Sequence, residues 1–237
     1  MSRTKDYYLV VDTETANSVN EPIPYDIGYV ICDRNGEISV RRSFVVAETF
    51  LDCKDMMTSA YYAEKIPQYW NDLKAGTREM KSVFNIRKQM LADMKKYKVK
   101  RVAAYNMDFD KKALNNCIRY FSKSFIRYWF PFGTEYVCIW HMACQVVLNT
   151  TSYIKFALRN GLESEAGNIK TSAEACYQFL INSPSFVESH TGLEDVEIEV
   201  KILAKCFATH KKLDKSINRM CWRIPQKKRK ELNLSGV

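Results

Sequence analysis

Residues 7–15, Tyr-Tyr-Leu-Val-Val-Asp-Thr-Glu-Thr, run five apolar or β-favouring residues into an acid, a threonine and a second acid. A continuous apolar run of this kind predicts a strand buried on both faces. Residues 16–25 are punctuated by Asn17, Asn20, Pro22 and Pro24 and predict a loop. Residues 26–32 predict a second strand. Asp33-Arg34-Asn35-Gly36 predicts a hairpin turn, because Asn-Gly accepts positive φ. Residues 37–46 return as a third strand, so the chain opens with an antiparallel meander. Residues 47–77 are dense in Met56, Met57, Tyr61, Tyr62, Tyr69 and Trp70 and predict short helices packed over one edge. Packing is the favoured reading of these aromatics, against a wall on which unstacked bases lie.

From residue 78 the apolar period lengthens to that of a helix. Val83, Phe84, Met90, Leu91 and Met94 share a face, which predicts a helix over 78–97. Residues 100–105 predict a short strand and 106–120 a helix with Ala113, Leu114, Cys117 and Ile118 inward. After an aromatic loop at 127–133, residues 136–139 predict a last strand. Helices follow over 140–148, 152–160 and 171–181, and a long one over 192–210 with Leu193, Val196, Val200, Leu203 and Phe207 as its stripe. The pattern is that of an α/β fold with a mixed five-stranded sheet, antiparallel first and then parallel, flanked by helices.

Charge changes this picture only at one end. The 237 residues carry 36 basic and 27 acidic side chains, a net charge of +9, and residues 211–237 alone supply +7 of it. The chain therefore divides into a nearly neutral body over 1–210 and a basic C-terminal tail over 211–237, which fits a polyanionic partner. Trp222 and Pro225 predict at least one docked contact within the tail. The eight cysteines contain no C-x-x-C pair and fall in apolar runs, which predicts reduced core thiols of a cytoplasmic protein. The stretch 136–148 is broken by His141 and Gln145 and is too short for a bilayer, so no membrane partner is expected.

Three segments carry the chemistry. Asp12 and Glu14 sit two apart on a strand and so share a face, and a divalent cation between them would remove both their repulsion and their cost of burial. Tyr105-Asn106-Met107-Asp108-Phe109-Asp110 spans a strand-to-helix passage, where Asp108 or Asp110 alone reads as a helix-start acid. His190 precedes Thr191-x-x-Glu194, a predicted capping box that sets the start of the long helix and turns Asp195 inward. All three can reach the carboxyl ends of the strands, where open α/β sheets bind ligands.

In this order the segments resemble the signature of the DnaQ-like, or DEDDh, 3′–5′ exonucleases of the ribonuclease H-like superfamily. That signature is D-x-E on the first strand, an N-x-x-F-D-like segment at a later helix start, and H-x(4)-D near the end. The resemblance covers roughly residues 5–210. It departs at Tyr105, where the family often has His, and at Thr15-Ala16-Asn17, where Thr-Thr-Gly is common after D-x-E. The resemblance implies two Mg²⁺ or Mn²⁺ ions held by Asp12, Glu14, Asp110 and Asp195, with His190 as general base. It implies that Thr13, Thr15, Ala16, Asn17 and Asn106 meet the terminal nucleotide. The implied reaction releases nucleoside 5′-monophosphates from 3′ ends, with single-stranded DNA first and RNA second among substrates, and a DNA polymerase as a candidate partner in proofreading. A non-catalytic nucleic-acid or polymerase-binding module and a small-nucleotide hydrolase are the competing readings.

Overall fold

A computed structural model describes residues 5–232 except 59 and 61. Tyr61 of the aromatic group and the ends of both expected segments, 1–4 and 233–237, lie outside the described residues. The meander forms as the apolar pattern requires. Strands β1 (Tyr7–Ala16), β2 (Ile23–Asp33) and β3 (Ile38–Val46) pair antiparallel in sequence order. Gly36 closes the β2–β3 turn at φ +82°, as Asn-Gly predicts.

β2 begins earlier than the prolines suggested. A bulge between Glu14 and Thr15 shifts the register so that Pro24 lies opposite Thr15. That irregularity is the place where a strand tolerates a residue without an N–H.

The helix expected over 78–97 is divided. Glu79–Lys81 forms a short edge strand, β4, parallel to β3. Ser82 then caps the helix by accepting from the Asn85 N–H at 3.3 Å. The helices in chain order are α1 (Lys54–Thr58), α2 (Ile66–Ala75), α3 (Val83–Lys96) and α4 (Met107–Ser122). Strand β5 (Arg101–Ala104) precedes α4, and β6 (Glu135–Cys138) follows it. α5 (Ile139–Val146), α6 (Thr151–Arg159), α7 (Ala173–Leu180), α8 (Gly192–Ala208) and α9 (Arg223–Glu231) complete the described set.

The sheet order is β4-β3-β2-β1-β5-β6, with β5 parallel to β1 and β6 parallel to β5. It holds the five expected strands and adds β4 at one edge.

Alternation along β1 decides which residues meet which helix layer. Tyr8 and Val10 pack into the core shared with Val196, Val200 and Leu203 of α8. Leu9 and Val11 pack into the opposite core with Met107, Leu114 and Ile118 of α4. Continuing the count, Asp12 and Glu14 fall on the α8 side and Thr13 on the α4 side. A smaller cluster around Tyr25, Phe50 and Tyr69 fixes the 47–77 segment against the sheet, so most of its aromatics are packing.

Residues 211–231 lie against the body. The Cys138 N–H donates to the Lys215 carbonyl at 2.9 Å, Gln226 exchanges hydrogen bonds with the Ile169 backbone at 3.0 Å, and α9 packs on α5 and α6. Pro225 and Gln226 are buried there. All eight cysteines are free, seven of them buried. Among the described residues no helix is long and apolar enough to cross a membrane.

Candidate functional site

The α8 N-terminus is brought down onto the D-x-E strand by two glycines. Asp12 of β1 pairs with Gly28 of β2. A Cβ on Gly28 would lie 2.1 Å from the Gly192 carbonyl carbon, and one on Gly192 would lie 2.6 Å from the Gly28 nitrogen. Only two residues without side chains permit this approach. A buried polar hub then fixes it. Asp26 accepts from the Gly192 N–H at 2.9 Å, from the Tyr69 hydroxyl at 2.8 Å and from Arg78 at 3.2 Å. The same guanidinium donates to Ser43 at 2.6 Å, Glu194 at 2.8 Å and Asp72 at 3.0 Å.

The capping box at the start of α8 takes another form than the sequence predicted. The Thr191 hydroxyl donates to the Glu194 carboxylate at 2.8 Å instead of accepting a backbone N–H. The Thr191 N–H donates to Asp195 Oδ2 at 3.1 Å. Arg78 draws Glu194 toward the hub, and Asp195, one residue on, takes over the reach back. The Ser189 hydroxyl also donates to Asp195, at 3.1 Å. His190 stands just before the cap in the left-handed region at φ +50°.

The result is a cleft of about 240 Å³ at the carboxyl ends of β1 and β5. Asp12, Glu14, Asp110, His190 and Asp195 all line it, together with Thr13 and Asn106. Ligand atoms of Glu14, His190 and Asp195 lie within 4.8 Å of one another. Thr13, pointing to the α4 side, donates to Asp110 Oδ1 at 2.9 Å and so holds the acid from α4 at the strand end. Asp108 does not join the cluster, because it pairs with Arg219 at 2.7 Å. Thr15, Ala16 and Asn17 do not line the cleft. Thr15 stays in β1 opposite Pro24, Ala16 is buried in the Tyr25 cluster, and the Asn17 amide donates to the Glu21 carbonyl at 2.8 Å.

Electrostatics record the crowding. Burial, then Asp110, Glu199, Glu14 and Asp195, push Asp12 well above the ordinary carboxylate range. Glu14 is pushed up to about 8 by burial, with Asp195 and Asp26 adding to it. Asp110 and Asp195 are each pushed up to about 7, chiefly by burial, against the opposing hydrogen bonds from Thr13 and from Ser189 and Thr191. His190 moves the other way. Burial and the Lys65 ammonium hold it below its ordinary value and keep the ring neutral. Its ring stacks on Tyr62 with centroids 4.5 Å apart and planes 13° from parallel. Lys65 also donates to the Ser189 carbonyl. The 47–77 segment therefore supplies a wall beside the histidine as well as packing.

Two acids of the cleft were missed in the sequence. Glu188 lies at the rim and is pushed up to about 8 by burial, Asp195 and Glu174. Glu199 lies one turn beyond Asp195, inside the apolar stripe of α8. Its signal was an acid at an inward helical position, three after Val196 and one before Val200.

No family model matches the chain, and no curated protein matches it. Likeness appears in solved structures. E. coli exonuclease I in complex with a 5cy-dT13 oligonucleotide superposes at a TM-score of 0.50 with 14% identity, over 87% of this chain and 43% of that one. The product-bound structure of exonuclease I gives 0.49 and 13%, over 86% and 44%. The zinc-bound E. coli exonuclease I complex with single-stranded DNA gives 0.49 and 11%, over 87% and 41%. This chain thus spans less than half the length of the proteins it matches. The sequence and the superposition point to one architecture. The chain has the fold of exonuclease I.

Proposed function

We propose that the protein is a divalent-metal-dependent 3′–5′ exonuclease that releases nucleoside 5′-monophosphates from single-stranded DNA. The observation that supports this reading is the meeting of Asp12, Glu14, Asp110, Asp195 and His190 in one cleft, from three separate segments.

The donor set fits hard divalent ions such as Mg²⁺ or Mn²⁺. Asp12 Oδ2 is buried without a hydrogen-bond partner, and four carboxyl groups are raised together, as acids are when the cation that should separate them is absent from the balance. Asp12, Glu14 and Asp195 would hold one ion, with Asp12 shared to a second and Asp110 completing the set. When bound, the pair supplies positive charge to the scissile phosphate and acidifies a water.

The chain's own groups do the rest. His190, neutral near pH 7, takes the proton of the attacking water at a ring nitrogen. Tyr62 fixes the plane of that ring. Thr13 positions Asp110. Asn106, exposed at the rim, offers its amide to the terminal nucleotide. The basic segment from residue 211 adds cationic surface for the polymer's phosphates. DNA is placed first because the structure that superposes at 0.50 holds a 5cy-dT13 oligonucleotide. RNA trimming is the alternative substrate choice. A DNA polymerase is the candidate partner and the cytoplasm the compartment.

The test is a time course on 5′-labelled single-stranded DNA and RNA of one sequence, with Mg²⁺, Mn²⁺ or EDTA, for wild type and His190→Ala. A ladder shortening from the 3′ end, stopped by EDTA and severely slowed in the variant, is expected. Retained binding with no cleavage of either polymer under any metal would refute the reading in favour of a binding module.

A further inference from the structure

Helix α8 presents two acids to the cleft. Glu199 follows Asp195 by four residues, so the two side chains leave the same face one turn apart. Asp195 faces the site because the Gly28–Gly192 approach sets α8 on β1. The same placement carries Glu199 to the cleft floor, where it is 2% exposed and lines the cavity with Asp12, Asp110 and Asp195.

Its surroundings make poor company for a fixed carboxylate. The charges acting on it are those of Asp110, Glu188 and Asp195, all acidic, and the favourable contact is the Tyr105 backbone N–H. Its Oε2 atom is buried and has no hydrogen-bond partner. Asp12 Oδ2 is in the same condition on β1, and Glu199 is one of the charges acting on Asp12. Two residues that line one cleft, from two elements, therefore each carry a buried carboxylate oxygen without a hydrogen-bond partner. Native interiors rarely leave such atoms unsatisfied, and a hard cation satisfies two carboxylate oxygens at once.

We propose that Glu199 is a fifth carboxylate of the metal site and holds the ion that sits beside Asp12 and Asp110. The inference rests on the two-ion reading of the cleft. Four carboxylates match the charge of two divalent ions. The fifth carries the cluster past neutrality and tightens the more weakly held ion, the one for which Asp12 and Asp110 otherwise provide the side chains. The consequence is an enzyme that keeps both ions at lower free Mg²⁺ than the four acids alone would allow.

The alternative role for a buried acid is a protonated donor to a neighbouring oxygen. Glutamine has the same shape and can donate, so Glu199→Gln separates the two. Full-length wild type and variant are titrated with Mn²⁺ by calorimetry, with bound ions counted and their coupling read by electron paramagnetic resonance. The expected result is two ions in wild type. In Glu199→Gln the first ion binds unchanged and the second binds at least tenfold more weakly. The Mg²⁺ concentration for half-maximal cleavage of labelled single-stranded DNA should rise by the same factor. Glu199→Asp, which keeps the charge, should recover part of the second-ion affinity and guards against a folding defect in the glutamine variant. A thermal melt of each variant without ions confirms the fold. Two ions bound to Glu199→Gln with wild-type affinity would overturn the assignment and leave the exonuclease reading standing. A wild type that binds no ion would overturn both.

Discussion

Removing divalent ions should make the protein less stable as pH rises from 6.5 to 8. Asp110 and Asp195 have ordinary values near 3.8 but are pushed up to about 7 in the fold, and Glu14 goes from 4.5 to about 8. Above pH 5 the unfolded chain has lost these protons while the folded chain keeps them. The folded state thus binds more protons, and stability falls with pH until the folded groups have titrated. His190 has the opposite shift, but its contribution is confined to pH near and below its ordinary 6.5, which is why the window starts there. If the cluster holds one extra proton on average, the slope is about 1.4 kcal/mol per pH unit, or about 2 kcal/mol over the window. For a chain of this size that is a fall of roughly 4–8 °C in melting temperature. The assay is a thermal melt by circular dichroism in EDTA and, separately, in excess Mg²⁺. With ions the cluster's protons are replaced by cations, so the fall should vanish or reverse. A melting temperature in EDTA that is flat or rises between pH 6.5 and 8 would refute the claim that these acids crowd one buried site.

Other perturbations separate chemistry from architecture. Asp12→Asn should abolish Mg²⁺-dependent cleavage and raise the metal-free melting temperature at pH 8, since it removes a repelling charge; both are read on the same preparation. His190→Gln should slow single-turnover cleavage by about 10²–10⁴-fold, the range for a lost general base. Its Mn²⁺ isotherm should stay unchanged, and a weakened isotherm would make His190 a ligand instead. Arg78→Met leaves Asp26 buried without its cation and should cost about 3–5 kcal/mol in urea unfolding. Gly28→Ala puts a carbon where Gly192 backbone stands, at 2.1 Å, and should unfold the protein or displace α8, seen as loss of both cleavage and the second-ion isotherm.

The elements that the sequence made legible are those with a local signal. Alternation placed Asp12 and Glu14 on one face, Asn-Gly fixed the β2–β3 turn, and the 3.6 period marked α4 and α8. What stayed hidden depended on partners far along the chain. Ser82 was the only local sign that β4 interrupts the run before α3, and β4 exists because Val46 and its neighbours on β3 offer it an edge. Arg78 stands at the start of the run expected as a helix, with no local sign of burial. Its burial follows from Asp26, Asp72 and Glu194, which lie 52, 6 and 116 residues away. The nucleotide contacts expected at Thr15, Ala16 and Asn17 came from the family resemblance, and the structure leaves these residues off the cleft lining, with Ala16 buried in the Tyr25 cluster instead. Thr191-x-x-Glu194 was recognised as a helix start, but Arg78 takes the glutamate that a box would use.

The division of labour in these contacts has a mechanical consequence. Six acids in one cleft repel, and the Lys65 ammonium offsets them only in part, at Glu14 and Asp195. The fold tolerates this because the approach of α8 to β1 is not held by the cluster. It is held one layer away, by Gly28 against Gly192 and by Asp26 and Arg78, whose charges are opposite and satisfied. The hub works against the repulsion, as a clamp does against a spring. Neutralising any acid of the cleft should therefore leave the clamp intact and relax the spring, raising metal-free stability while activity falls. Weakening the clamp should lower both. A protein whose site acids also carried its packing could not show opposite signs for these two sets of variants, so the sign of the stability change distinguishes a metal site built on an independent scaffold from an acidic network that is itself structural.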